Sequence, residues 1–283
     1  LSAIVATISV ALITVFIFQS GLPILIQYGL IDFIFGTTWS PTNGYYGILP
    51  LIAGTLSVTI GALIIGVPIG VACAVFLSEI LAKKPAKVFK FAIELLAGIP
   101  SVVYGFFGLV VLIPAIRNYI LPIYQIFAPN VSTTGFSILA GAAILAIMIL
   151  PTIVSMSENA ITAVPHEYKE ASLALGANKM ETMVRGLVPT AKSGILSSII
   201  LGMGRAIGET MAVLLITGNM AKMPNTVLDP VATLTGTIAM EMGYASPTHQ
   251  QVLFAVGIIL FIIIMILNII AQISVRRLGG NAV

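Results

Sequence analysis

PLIAGTLSVTIGALIIGVPIGVACAVFLS, from Pro50 to Ser78, contains no charged residue. As a helix rising about 1.5 Å per residue it is long enough to cross roughly 30 Å of hydrocarbon. It lacks the alternation of a lipid-facing barrel strand, and hydrocarbon offers no water to an open backbone, so a helix is the spanning element it predicts. Comparable runs lie near 3–27, 89–116, 136–161, 193–218 and 251–275, giving an all-α, polytopic membrane protein with six transmembrane helices. Across the 283 residues, 58% are hydrophobic, 8% are charged and the mean hydropathy is +1.10. A soluble domain carries about 25% charged residues, and an aqueous core of this size would not hide so many uncharged runs. The organisation expected is a single transmembrane domain over 1–283.

Orientation follows from the basic residues between spans. Lys83, Lys84, Lys87 and Lys90 follow the second span, Lys169, Lys179, Arg185 and Lys192 follow the fourth, and Arg276 and Arg277 close the chain. The opposite side holds Arg117 and Lys222. Both termini are therefore expected in the cytoplasm of a bacterial inner membrane, and the net charge of +3 is an orientation signal rather than a nucleic-acid footprint. Leu1 is not an initiator, so residues are expected before it; the uncharged opening stretch is too long for a signal-peptide core. Cys73, the single cysteine, excludes an intrachain disulfide and reads as core packing.

The loop at about 158–192 differs from the others. His166 to Leu175 reads as a short helix opened by Pro165 and closed by a left-handed cap at Gly176. A second helical stretch runs from Asn178, as N-cap, to Leu187, with Pro189 leading into the next span. Two short helices joined at a glycine form a knob that a cytosolic partner can grip.

Glu170-Ala171-Ser172, then Gly176 after three intervening residues and Pro189 after twelve more, resemble the EAA loop of bacterial ABC importer permeases. Ser172, Gly186 and Val188 depart from that pattern, and Gly186 weakens its apolar end. Three further stretches resemble phosphate permeases: Thr38-Trp39-Ser40-Pro41 with Tyr46-Gly47-Ile48-Leu49-Pro50, Gly98-Ile99-Pro100-Ser101-Val102-Val103-Tyr104-Gly105, and Gly204-Arg205-Ala206-Ile207-Gly208-Glu209-Thr210-Met211-Ala212-Val213. The last is closer to the PstC-type subunit than to its PstA-type partner. The resemblance implies a type I, MetI-like permease fold whose loop Glu167–Gly186 docks on an ATPase. It also implies an assembly of a homologous PstA-type permease, two copies of a PstB-type ATPase that binds ATP and Mg, and an extracytoplasmic PstS-type phosphate-binding protein. The coupling residues it marks are Glu167, Glu170, Ala171, Ser172, Gly176 and Pro189. It implies inorganic phosphate as substrate, with molybdate or sulfate as the alternative oxyanions.

Arg205 and Glu209 fall midway along the fifth span, four residues apart, which on a continuous helix is one face. A charge at that depth costs at least about 2.5–3.5 kcal/mol and so faces a bundle interior or a wet path. Arginine suits an oxyanion route because its planar fork donates two parallel hydrogen bonds. The substrate-pathway set is Arg205, Glu209, Ser101 and Thr210; the competing reading of Arg205 and Glu209 is a pair that neutralises itself. Glu94 is assigned to structure, as a partner for Lys90. Gly204 and Gly208 form a small-xxx-small pair suited to close helix packing, or to flexing.

Other functions find little support. Gly186 to Ser193 approaches a Walker A motif, but Ala191 replaces a glycine and Pro189 interrupts it, so no cofactor site is expected in this chain. His166 and His249 read as lying outside the spans, leaving no imidazole for an intramembrane zinc site. No nucleophile and base can be assembled, so no catalytic residue is assigned. No repeated halves suggest a secondary transporter, and a passive channel has no use for the docking knob. The sequon Asn130-Val131-Ser132 reads as chance.

Overall fold

The computed structural model describes residues 2–129 and 133–279; the sequon lies outside them. The order is α1 (Ser2–Tyr28), α2 (Leu30–Phe35), a two-stranded hairpin of β1 (Trp39–Ser40) and β2 (Tyr45–Tyr46), α3 (Leu49–Ile80), α4 (Lys83–Ala97) and α5 (Ser101–Phe127). There follow α6 (Ile138–Thr162), α7 (His166–Ala174), α8 (Lys179–Thr190), α9 (Lys192–Gly208), α10 (Met211–Ile216), α11 (Leu234–Glu241) and α12 (Pro247–Gly279). Among the described residues, α1, α3, α5, α6 and α12 are each long and apolar enough to span a membrane.

Two spans differ from expectation. The third runs over Ser101–Phe127 instead of 89–116, because Gly98 to Pro100 stops helix α4 before the crossing begins. Apolar residues of α4 extend the hydropathy signal backwards, yet its polar residues gather on one side, as befits an interface rather than a core of lipid. The fifth crossing, expected as one helix over 193–218, is broken: α9 ends at Gly208, Glu209 takes extended backbone (φ −68, ψ 134), and α10 restarts at Met211. Helices α8 and α9 meet at a bend of 68°.

Prolines explain part of this geometry. In α5 the π-helical turns Gly108–Leu112 and Ile116–Ile120 end two residues before Pro114 and Pro122, and in α8 the turn Thr182–Leu187 ends two before Pro189. Proline lacks a donor and crowds the carbonyl four residues back, and a widened turn accommodates both effects without ending the helix.

The chain divides into two compact units. The first comprises residues up to Val58, Gly105–Gly141 and Thr210–Met265. Its core gathers Ile24, Phe33, Ile48, Leu51, Leu234 and Val256. Close approach demands glycine there: a Cβ on Gly54 would stand 2.2 Å from the Ala232 carbonyl oxygen. The segment between α10 and α11 caps α6, since the amides of Ile138 and Leu139 donate to the Asp229 and Val227 carbonyls at 3.0 and 2.9 Å. Beside it His249, in the first turn of α12, meets the Glu241 carboxylate at 2.7 Å, while Trp39 Nε1 donates to the same carboxylate at 3.2 Å. His249 is thus a buried clasp between the hairpin and the start of the last helix.

The second unit comprises Thr59–Tyr104, Ala142–Glu209 and the chain from Ile266 onward. Gly66 and Gly70 of α3 let Ile149 and Ile153 of α6 come within 3.0 and 2.7 Å of where a Cβ would stand. Ser157 and Ser198, both buried, share a 2.8 Å hydrogen bond between α6 and α9. Lys90 pairs with Glu158 rather than with Glu94.

Asp229 locks the capping segment. Its carboxylate accepts from the amides of Asn225 and Thr226 at 2.7 and 2.9 Å and from the Thr226 hydroxyl at 2.9 Å. Burial pushes this carboxyl up, but those hydrogen bonds and Lys222 outweigh burial and hold it below its ordinary range. A carboxyl depressed by folding stabilises the fold above its unfolded pKa, and the contribution is lost as pH falls through the folded value. Asp229→Asn should therefore loosen the segment at neutral pH by about 1–2 kcal/mol, read as faster limited proteolysis between Gly218 and Thr233. Wild type should approach the variant on acidification below the ordinary carboxylate range.

Candidate functional site

The knob forms as its punctuation dictates. Helix α7 starts after Pro165 and closes through Gly176, whose φ of +87 is a left-handed conformation that favours glycine. Asn178 opens α8 with a reciprocal capping box: its side chain accepts from the Glu181 amide and the Glu181 carboxylate accepts from the Asn178 amide, both at 2.9 Å. The two helices are stitched by Ser172 Oγ and Thr182 Oγ1 at 3.0 Å. Serine in place of the alanine thus adds a bond to the motif.

Gly186, expected to weaken the knob's apolar end, has open space where a Cβ would sit. Its neighbours Met183 and Leu187 take over the anchoring, packing with Ala191, Ile195, Ile161 and Ala74. Lys169 of α7 pairs with Glu79 in the last turn of α3. The opposite surface presents Glu167, Glu170, Ala171 and Tyr168 to the outside, with Leu175 at the tip 90% exposed. Pro189 is exposed where α8 gives way to α9.

The second place is the break after Gly208. Arg205 sits half-buried in the last turn of α9, and Glu209 and Thr210, also half-buried, form the non-helical link. The link takes Glu209 off the helical face it would have shared with Arg205. Ser101 opens α5 just after Pro100, half-buried, and Tyr104 lies one turn on. Arg205 reaches Tyr104 electrostatically, and the Tyr104 hydroxyl donates to the Leu96 carbonyl at 2.7 Å. Sequence reasoning missed Tyr104 as a companion of Arg205, although it stood inside a quoted motif; only tertiary packing relates the two.

The glycines of α9 separate into two classes. A Cβ on Gly194 would stand 2.4 Å from the Ala160 Cβ, and one on Gly202 would stand 3.1 Å from Ile153. At Gly204 and Gly208 a Cβ would meet nothing within 4 Å. The packing role read for Gly204 and Gly208 is therefore met within this chain by Gly194 and Gly202. Gly194→Ala should destabilise by about 1–3 kcal/mol through overpacking, whereas Gly204→Ala and Gly208→Ala should leave the thermal unfolding of the isolated chain in detergent nearly unchanged.

A family model for binding-protein-dependent transport system inner membrane components matches residues 66–280. The chain is 38% identical over 272 residues to a probable ABC transporter permease protein, YqgH, of Bacillus subtilis, covering 94% of this chain and 85% of that protein. It is 33% identical over 288 residues to the phosphate transport system permease protein PstC of Xylella fastidiosa, covering 96% and 89%. Among solved structures, a bacterial alginate ABC transporter matches with TM-score 0.60 at 15% identity over 98% of this chain and 95% of that one. The last likeness concerns the fold alone.

Proposed function

We propose the function from one premise: this chain belongs to the family of binding-protein-dependent transport system inner membrane components. It is a multi-pass inner-membrane permease subunit of an ABC importer, and its substrate is inorganic phosphate. The observation that carries the substrate is the likeness to phosphate permeases over 96% of the chain, through both the knob and the broken helix.

The basic loops support a cytoplasmic position for the knob and both termini. There the exposed face of α7 and α8, with Leu175 at its tip and Glu167 and Glu170 beside it, docks on a PstB-type ATPase, two copies of which bind ATP and Mg and hydrolyse the nucleotide. The Lys169–Glu79 pair carries movement of the knob to the end of α3. The pathway is enclosed with a homologous PstA-type permease, and a PstS-type binding protein delivers phosphate from outside.

Along the pathway Arg205 meets the anion with its bidentate fork, and Ser101 and Thr210 offer hydroxyls that either donate or accept. Glu209, in the unwound link, takes the proton of hydrogen phosphate as a hydrogen bond or orients Arg205. The unwinding itself is what a membrane protein tolerates where backbone lines a cavity rather than lipid.

Two sets of variants test this reading. Glu170→Lys, or Gly176→Leu, which forces a bulky residue into a left-handed conformation at a cost of about 1–2 kcal/mol, should leave the chain inserted while uncoupling ATP hydrolysis from phosphate uptake. Normal ATPase association and uptake in both would refute the docking face. Arg205→Gln and Arg205→Lys should each cut uptake at least about tenfold with assembly intact, since one loses the charge and the other the fork. If Arg205 only neutralises Glu209, the double variant Arg205→Gln with Glu209→Gln regains uptake, and that recovery would remove Arg205 from the pathway.

A further inference from the structure

Helix α4 lies between two spans, and neither the docking knob nor the substrate pathway uses it. Lys84, Lys87, Val88, Phe91 and Leu95 recur at steps of three and four and so form one stripe along it. The whole stripe is exposed, with Val88, Phe91 and Leu95 at 68%, 62% and 56%. One side of the helix is engaged with the protein: Lys90 pairs with Glu158, Ile93 and Leu96 are half-buried, and the Leu96 carbonyl holds the Tyr104 hydroxyl, while Phe89, Ala92 and Glu94 are exposed like the stripe. Glu94, seven residues after Lys87 and also exposed, borders the stripe at its Lys87 edge, so Lys84 and Lys87 leave the stripe and its border with an excess of one positive charge.

Connectivity fixes where this stripe sits. Residues 81–82 join α4 to the end of α3, and residues 98–100 join it to the start of α5. Links of two and three residues reach about 7 and 10 Å at full extension. Both ends of the 15-residue helix, roughly 22 Å long, are thus tethered to the same membrane surface, and the helix lies along that surface. An exposed apolar row at this depth meets acyl chains, and lysine stems beside it extend to bring their ammonium groups to the phosphates.

We propose that α4 is an interfacial helix and that its stripe binds anionic phospholipid of the cytoplasmic leaflet, the apolar residues entering the acyl boundary while Lys84 and Lys87 hold the headgroup. Only the side of the membrane is taken from the proposed function; the contact itself is independent of substrate. A protein partner fits less well, because the tethers keep the helix axis at the membrane surface, where an exposed apolar row meets acyl chains. Charge selection follows from the sign of the cytoplasmic surface, which attracts each nearby lysine.

The test reads lipid contact directly, so that it fails or succeeds whatever the transported ion. Leu95→Cys in a Cys73→Ser background carries a bimane label, and the assembled importer is placed in nanodiscs with brominated phosphatidylglycerol or brominated phosphatidylcholine. Both lipids should quench the label, with phosphatidylglycerol reaching half-maximal effect at a several-fold lower mole fraction. Lys84→Gln and Lys87→Gln should each shrink that preference by up to about fivefold. Raising salt from 0.05 to 0.5 M should shrink it in the unsubstituted chain, which gives a readout even where a variant fails to assemble. A label shielded from both lipids, as an ATPase or partner permease seated on the stripe would produce, overturns the proposal. So does equal quenching by the two headgroups, or a preference that survives both salt and lysine removal.

Discussion

A backbone inside hydrocarbon must satisfy its own hydrogen bonds, and this constraint organises the whole chain. Long helices form wherever charges are sparse, and each departure from helix marks a place where lipid is absent. Apart from the longer connecting loops, three local departures stand out: the stop from Gly98 to Pro100, the bend at Ala191 and the link Glu209–Thr210. The first and second lie at the ends of crossings, where water satisfies free amides and carbonyls. The third lies within a crossing and demands a polar surrounding. Arg205, Glu209 and Thr210 at that link are therefore consistent with one another in a way that no single residue establishes.

The same economy governs charge. Glu79 and Glu158 lie near the ends of α3 and α6, and each is paired with a lysine from a shorter connecting helix, Lys169 from α7 and Lys90 from α4. Half-exposed pairs such as these contribute little stability, about 0–1 kcal/mol. Their value is positional, since each ties a surface helix to a span. The knob is held by one such tie, by the packing of Met183 and Leu187, and by the Ser172–Thr182 bond, all within the second unit.

Legibility in the sequence followed the range of the interactions. The knob was readable almost to the residue because Pro165, Gly176 and Asn178 act within a turn or two of themselves. The spans were readable because hydropathy integrates over many residues, and for the same reason their ends were not. Phe89, Phe91, Leu95 and Leu96 raise the average of a window that reaches into α5, so an interfacial helix was merged with a crossing. The break at Glu209 left no local mark, because Gly208 is common enough inside membrane helices to pass as packing. Lys90 illustrates the remaining limit: Glu94 is its neighbour in sequence, but Glu158 is its partner in space.

The glycines of α9 sharpen this point. Sequence alone treats Gly194, Gly202, Gly204 and Gly208 as one small-residue pattern, although a missing side chain has two distinct physical uses. At Gly194 and Gly202 it lets α6 approach, and the space is filled by Ala160 and Ile153. At Gly204 and Gly208 the space is left open by this chain, and it flanks Arg205 on both sides in sequence. A glycine whose space is filled from within serves the fold of its own chain. A glycine whose space stays open beside a half-buried arginine is not explained by packing within its own chain. The opening and the charge thus occur together at the end of α9, where the local pattern of small residues distinguishes neither use.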